Sequence, residues 1–165
     1  MKYFLFLLVL LPTASFRPSD QTALTDAEKK TVVDRHNYWR RDVGVTEKLV
    51  WSDELARSAA KWARALKRKG CGFEHSGYKG LGENLFKGTS GYFDARYVVD
   101  AWGNEKSDYN YAKNTCKPGK MCGHYTQIVW KTTKRVGCVK ITCNGMDIWV
   151  CHYDPPGNWI GEKPY

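Results

Sequence analysis

Six cysteines, Cys71, Cys116, Cys122, Cys138, Cys143 and Cys151, sit behind an N-terminal stretch built like a secretory leader. Lys2 supplies the positive end. Residues 3–11 form an apolar run, followed by Pro12 and the small residues Thr13, Ala14 and Ser15. The run is too short to cross a bilayer. Cleavage after Ser15 is expected, leaving residues 16–165 as one exported domain. In an oxidising compartment an even cysteine count means disulfides. Three bridges constrain the fold more than any local propensity does, and fifteen pairings are open from spacing alone. A zinc cluster is the rival use of the thiols, but the sequence holds no C-x-x-C pair. No later segment is long and apolar enough to span a membrane, so the expectation is a secreted chain without a transmembrane anchor.

Local signals place the elements. Residues 16–24 read as a polar connector. Thr25 and Glu28 form a capping box, and the helix behind it carries Val32, His36, Trp39 and Val43 at helical spacing until Gly44. Ser52 caps a second helix, with Leu55, Ala59, Trp62 and Leu66 inside and Gly70 at its end. Its other face carries a basic stripe of Arg57, Lys61, Arg64 and Arg68, read by default as solvated. Residues 70–91 are glycine-rich and read as loop. Residues 92–105 read as a third helix and residues 106–121 as a polar loop. Cys116 and Cys122 are six apart, a spacing that suits a local bridge. Residues 135–142 and 146–153 alternate around Asn144-Gly145, a strong hairpin signal. The tail, residues 155–165, has three prolines and two glycines and reads as extended. Helices first and a hairpin late predict an α+β domain with helices covering a sheet.

The formal net charge is +9. For an exported chain this favours anionic surfaces as partners and, by compartment, disfavours nucleic acid. The four histidines are His36, His75, His124 and His152. Glu83 and His124 each lie beside glycine, where backbone approaches closely. Spacing alone gives only a weak indication of metal binding or acid–base chemistry.

Four motifs narrow the reading. They are His36-Asn37-Tyr38-Trp39-Arg40, Gly82-Glu83-Asn84-Leu85, the stretch from Gly123-His124-Tyr125 to Trp130, and the stretch from Cys151-His152-Tyr153 to Trp159. In this order the chain resembles the CAP superfamily of cysteine-rich secretory, antigen-five and pathogenesis-related proteins. The short C-terminus is most similar to the plant pathogenesis-related class-one branch. The resemblance implies a three-layer α-β-α sandwich with an antiparallel sheet, and disulfides Cys71–Cys143, Cys116–Cys122 and Cys138–Cys151. It implies a cleft tetrad of His75, Glu83, Glu105 and His124, with His75 and His124 as ligands for zinc or another divalent cation. It also implies a groove for a sterol or small lipid near residues 106–121, where Trp102, Tyr109, Tyr111 and Met121 are the candidate lining. The family work is defence-type binding, with no catalytic residues assigned. A metal-assisted hydrolase, for which Ser76 is a weak candidate nucleophile, and a precursor releasing residues 155–165 as a signalling peptide are the alternatives. His152 departs from the family pattern, where Asn is usual, and is expected to be a tolerated surface residue near the tail.

Overall fold

The computed structural model describes residues 23–165, so the leader and most of the connector lie outside the described residues. Helix α1 spans Asp26–Arg41 and opens on the capping box: the Glu28 amide donates to Thr25 Oγ1 at 3.3 Å, and the Thr25 amide donates back to Glu28 Oε2 at 2.8 Å. Strand β1 is Val50–Trp51, and α2 spans Asp53–Arg68 behind the Ser52 cap. Residues 82–89, read as loop, form strand β2 (Gly82–Thr89). Helix α3 is Ala95–Gly103, capped by Asp94. It passes into a 3₁₀ turn, Asn104–Asp108, where a longer α-helix was expected. A small ribbon follows, β3 (Tyr109–Asn110) and β4 (Thr115–Cys116), then a short helix α4 (Gly123–Ile128). The predicted hairpin is β5 (Arg135–Cys143) and β6 (Met146–Asp154).

The main sheet has the order β1-β5-β6-β2. It is antiparallel except where the two residues of β1 run parallel to β5. Both faces are covered. Ile148 and Val150 of β6 join a core with Ala59, Trp62, Ala63 and Leu66 of α2. The alternate residues Trp149, Cys151 and Tyr153 join a second core with Val32 of α1, Val99 and Trp102 of α3 and Ile128 of α4. The period-two alternation of side chains thus divides one interior strand between two helical layers. The result is an α-β-α sandwich.

The bridges are Cys71–Cys143, Cys116–Cys122 and Cys138–Cys151, the pairing that the resemblance implies. No free thiol remains among the described residues.

The His36-Asn37-Arg40 element is scaffold. His36 is fully buried, hydrogen-bonded to Val32 O and Tyr153 Oη, and burial pushes its imidazole down to about 4. Asn37 exchanges hydrogen bonds with the Leu49 backbone. The buried Arg40 guanidinium donates to the carbonyls of Glu47, Ile128, Trp130, Lys131 and Thr133. One side chain thereby satisfies the backbone around the end of α4.

Candidate functional site

The four residues expected to line a cleft form two carboxylate–imidazole pairs. Glu83 leaves the start of β2, and its Oε1 lies 2.6 Å from His75 Nδ1 and 2.9 Å from the Ser76 amide, which donates to it. Glu105 leaves the 3₁₀ turn, and its Oε1 lies 2.6 Å from His124 Nδ1. Its Oε2 accepts the backbone N–H groups of His124 and Tyr125, both at 3.1 Å, so the carboxylate caps the start of α4. Asn84, next to Glu83, donates through Nδ2 to the His124 carbonyl at 3.1 Å and ties the two halves together. The His124 ring stacks on Trp102, with centroids 5.9 Å apart.

His152 is not on the surface. It is fully buried, with Nε2 2.9 Å from Glu83 Oε2 and Nδ1 3.0 Å from Ser58 Oγ. It follows Ile148 and Val150 on the α2 face of β6 and pairs in register with Glu83 on one side and Gly137 on the other. Gly137 is what lets α2 come close. A Cβ there would lie 2.4 Å from Ser52 O and 2.3 Å from the Ala56 amide nitrogen. The expectation of an exposed residue near the tail fails because β6 is an interior strand covered on both faces. A signal was available: His152 shares the parity of Ile148 and Val150.

Burial would raise the Glu83 carboxyl, but hydrogen bonds from His152, His75 and Ser76 outweigh it and hold it at about 2. The Glu83 hydrogen bond and charge in turn raise the His75 imidazole, against a smaller opposing effect of desolvation. Ser58, His152 and Glu83 have the order of a hydrolase triad. Ser58 lies within α2, whose own amides are committed to the helical ladder. The relay ties β6 to α2 and to β2. Ser76 lies beside Glu83, and its Oγ accepts from the Tyr78 amide at 3.2 Å.

With Nδ1–H of His75 and His124 donated to carboxylates, the Nε2 lone pairs of both rings are the free ligand atoms, the arrangement that second-shell carboxylates give to metal-binding histidines. The carboxylates themselves are engaged. Among the described residues no group of three or more His, Cys, Asp or Glu side chains converges on one point. Two imidazoles without a third protein ligand would leave the rest of a cation's shell to solvent, not a closed cage.

The residues expected to line the groove separate. Trp102 is core: its Nε1 donates to Leu85 O at 3.1 Å, and its ring backs His124. Tyr111 stacks on Tyr165 and donates to its carbonyl. Met121 is exposed. Tyr109 lines a cavity of about 330 Å³ together with Cys116, Cys122, Gly123, Trp130 and Trp159. The tail forms one wall of this cavity. It is irregular, as expected, but not loose: the Gly157 amide donates to Gln127 Oε1, Asn158 bonds Gly123 O and Thr126, and Pro164 O accepts the Lys131 amide at 2.7 Å.

Comparison with known proteins agrees with this architecture. The model of the cysteine-rich secretory protein family, CAP, matches residues 33–153. Pathogenesis-related protein 1A of Nicotiana tabacum is 45% identical over 134 residues, covering 81% of this chain and 78% of its own. Pathogenesis-related leaf protein 4 of Solanum lycopersicum is 48% identical over 132 residues, 79% of each chain. Among solved structures, Na-ASP-1 matches with a TM-score of 0.74 and 29% identity, covering 95% of this chain and 46% of its own. This chain thus spans just under half of that protein. The crystal structure of NaASP2 with Zn2+ matches with a TM-score of 0.71 and 25% identity, covering 90% and 88%. Among the described residues no helix is long and apolar enough to cross a membrane.

Proposed function

The chain belongs to the CAP, or cysteine-rich secretory protein, family, and from that premise we propose that it is an exported, pathogenesis-related binding protein that takes up a sterol or similar small lipid. Export is supported by the leader-like N-terminus and by three bridges with no free thiol among the described residues. The observation that carries the lipid reading is the cavity of about 330 Å³ beside α4, with Tyr109, Trp130 and Trp159 in its wall and the Cys116–Cys122 bridge pinning one side. Its size falls at the lower end of small-ligand pockets, roughly 300–1,000 Å³. A sterol offers one hydroxyl and a large apolar body, so burial must supply the affinity. Burial of apolar rings at roughly 25 cal/mol per Å², less the association costs, points to micromolar binding.

His75 and His124 are the residues that would hold a divalent cation. A bound cation would supply Lewis-acid character at the cleft. The NaASP2 structure contains Zn2+, and this chain has two imidazoles with carboxylate-fixed tautomers. Glu83 and Glu105 orient the rings and keep the Nε2 lone pairs free.

Uptake of labelled sterol by the purified protein, with and without chelator, tests the reading. Stoichiometric uptake insensitive to chelator is expected. Replacing Cys116 and Cys122 together by Ser should weaken uptake and leave zinc binding intact, while His124→Ala should do the reverse. Uptake unchanged in the double Ser variant removes this cavity from the function.

A further inference from the structure

Residues 111–123 and 157–165 come together at one end of the molecule. The Asn158 side chain donates to Gly123 O, Asn114 Nδ2 donates to Glu162 O at 2.9 Å, and Tyr111 stacks on Tyr165 with ring centroids 4.4 Å apart. Between these ties the tail makes a hydrogen-bonded turn: the Glu162 amide donates to Trp159 O at 3.1 Å, and Gly161 supplies the positive φ, +84°. The turn is held on both sides and carries Ile160 at its corner. Ile160 is completely exposed, Trp159 is 56% exposed and Met121, beside the Cys116–Cys122 bridge, is 65% exposed. Tyr111 is partly exposed as well. Among the described residues, much of the large apolar surface left in water is gathered here.

The surrounding charge is positive. Lys113, Lys117, Lys120 and Lys163 are exposed on the same two segments, against Glu162. Lys117 is paired with Asp108 of the 3₁₀ turn at 3.1 Å, and the Lys163 ammonium lies 4.5 Å from the Tyr111 ring centre. A rigid turn presenting Ile and Trp inside a lysine fringe matches the chemistry of a membrane interface. The apolar tips enter the headgroup boundary, the indole sits at the polar–apolar border, and the ammonium groups reach phosphates. The basic stripe of α2 is different: Arg57, Lys61 and Arg68 are exposed there without a comparable apolar tip.

We propose that this end of the molecule is a docking surface for an anionic lipid bilayer, with Ile160, Trp159 and Met121 inserted and Lys113, Lys120 and Lys163 on the headgroups. The proposal does not depend on sterol entering the adjacent cavity.

Co-sedimentation of the full mature protein with sterol-free vesicles tests it. Binding is expected on equal parts phosphatidylcholine and phosphatidylserine, not on phosphatidylcholine alone, and should fall as salt rises. Trp159→Ser with Ile160→Ser should weaken partition about tenfold. Lys120→Glu with Lys163→Glu should weaken it more than tenfold, at roughly fivefold or more per lysine. Arg57→Glu with Lys61→Glu makes the same change in net charge on α2 and should have less than about twofold effect. All these side chains are exposed, so thermal unfolding of the variants should match wild type. The proposal is overturned if wild type does not bind the anionic vesicles, if the Ser variant binds as well as wild type, or if the α2 variant loses as much as the lysine variant. Vesicle binding without sterol uptake would refute only the sterol reading, and sterol uptake without vesicle binding would refute only this one.

Discussion

His75 meets Glu83 and His124 meets Glu105 at the same 2.6 Å, yet the two carboxylates are held by different kinds of donor. Glu105 is fixed by main chain: two amides at the start of α4 converge on one oxygen. Glu83 is fixed largely by side chains, with buried His152 on one oxygen and His75, joined by the Ser76 amide, on the other. The imidazoles differ in the opposite sense. His124 has only 14% of its side chain exposed and lies flat on Trp102, whereas His75 has 64% exposed. One pair rests on the backbone of a short helix. The other rests on a relay of side chains reaching to Ser58 of α2. The first pair should fail when α4 is disturbed, and the second when its relay is cut.

The largest effect should come from Arg40→Leu. This change leaves the Glu47 carbonyl and four carbonyls around the end of α4 without their donor, and at about 1–3 kcal/mol for a stranded buried acceptor the total loss should reach about 3–5 kcal/mol. Denaturant unfolding measures the loss. In the folded fraction, NMR should show His124 perturbed and His75 near its wild-type state. Equal perturbation of both rings would mean that the two halves are not separately built.

Next is Glu83→Ala, expected to cost about 2–3 kcal/mol, because it strands a fully buried His152 nitrogen. Glu105→Ala should cost less, about 1–2 kcal/mol, since water can substitute at a partly exposed helix start. The reverse ranking would show that main-chain capping, not the side-chain relay, carries the cleft.

His152→Asn is a smaller change. The shorter side chain cannot reach both Ser58 Oγ and Glu83 Oε2, and a loss of about 1–2 kcal/mol follows. Amide exchange should quicken in β2 near Glu83 while α4 keeps its protection. A variant as stable as wild type would make the relay dispensable.

The legible parts of this molecule are those where local chemistry and tertiary context agree. Thr25 and Glu28 close a box whatever surrounds them, and Asn144-Gly145 turns a hairpin by itself. Strand β2 was not legible because its glycines signal turns, whereas here they signal contact. A Cβ on Gly82 would come within 2.1 Å of Gln127 Oε1, and one on Gly88 within 2.4 Å of the Phe93 ring. Helix α4 begins on a glycine and has no side-chain cap of its own; its cap, Glu105, lies in another element. The tetrad residues followed from the family resemblance; Trp102 was expected in the groove rather than behind His124, and Ser58 was not expected at all. Trp102 sits on a helical stripe that any core tryptophan would occupy. Ser58 acquires its role only when Gly137 lets α2 close onto β6.

The smallest effect separates the pairs by proton rather than by packing. Glu83 is depressed to about 2, so its contribution is complete above the ordinary carboxyl value of about 4.5 and is lost as pH falls through about 2. His75 is raised above its ordinary value of 6.5, so its contribution is complete below 6.5 and is lost as pH rises through its elevated folded value. The charged pair therefore stabilises the cleft most between about pH 4.5 and 6.5. Above the folded value His75 becomes a neutral ligand atom. Stability from the pair and affinity for a cation thus run in opposite directions with pH. Because the ring is largely in water, the stability change should stay below about 1 kcal/mol. The NMR titration of His75 is the sharper measurement. Its midpoint should lie above that of an unperturbed histidine in wild type, fall in His152→Asn where Glu83 is less firmly held, and fall furthest in Glu83→Ala. An unmoved midpoint in Glu83→Ala would mean that the carboxylate does not govern His75, and the side-chain relay would lose its place in the comparison.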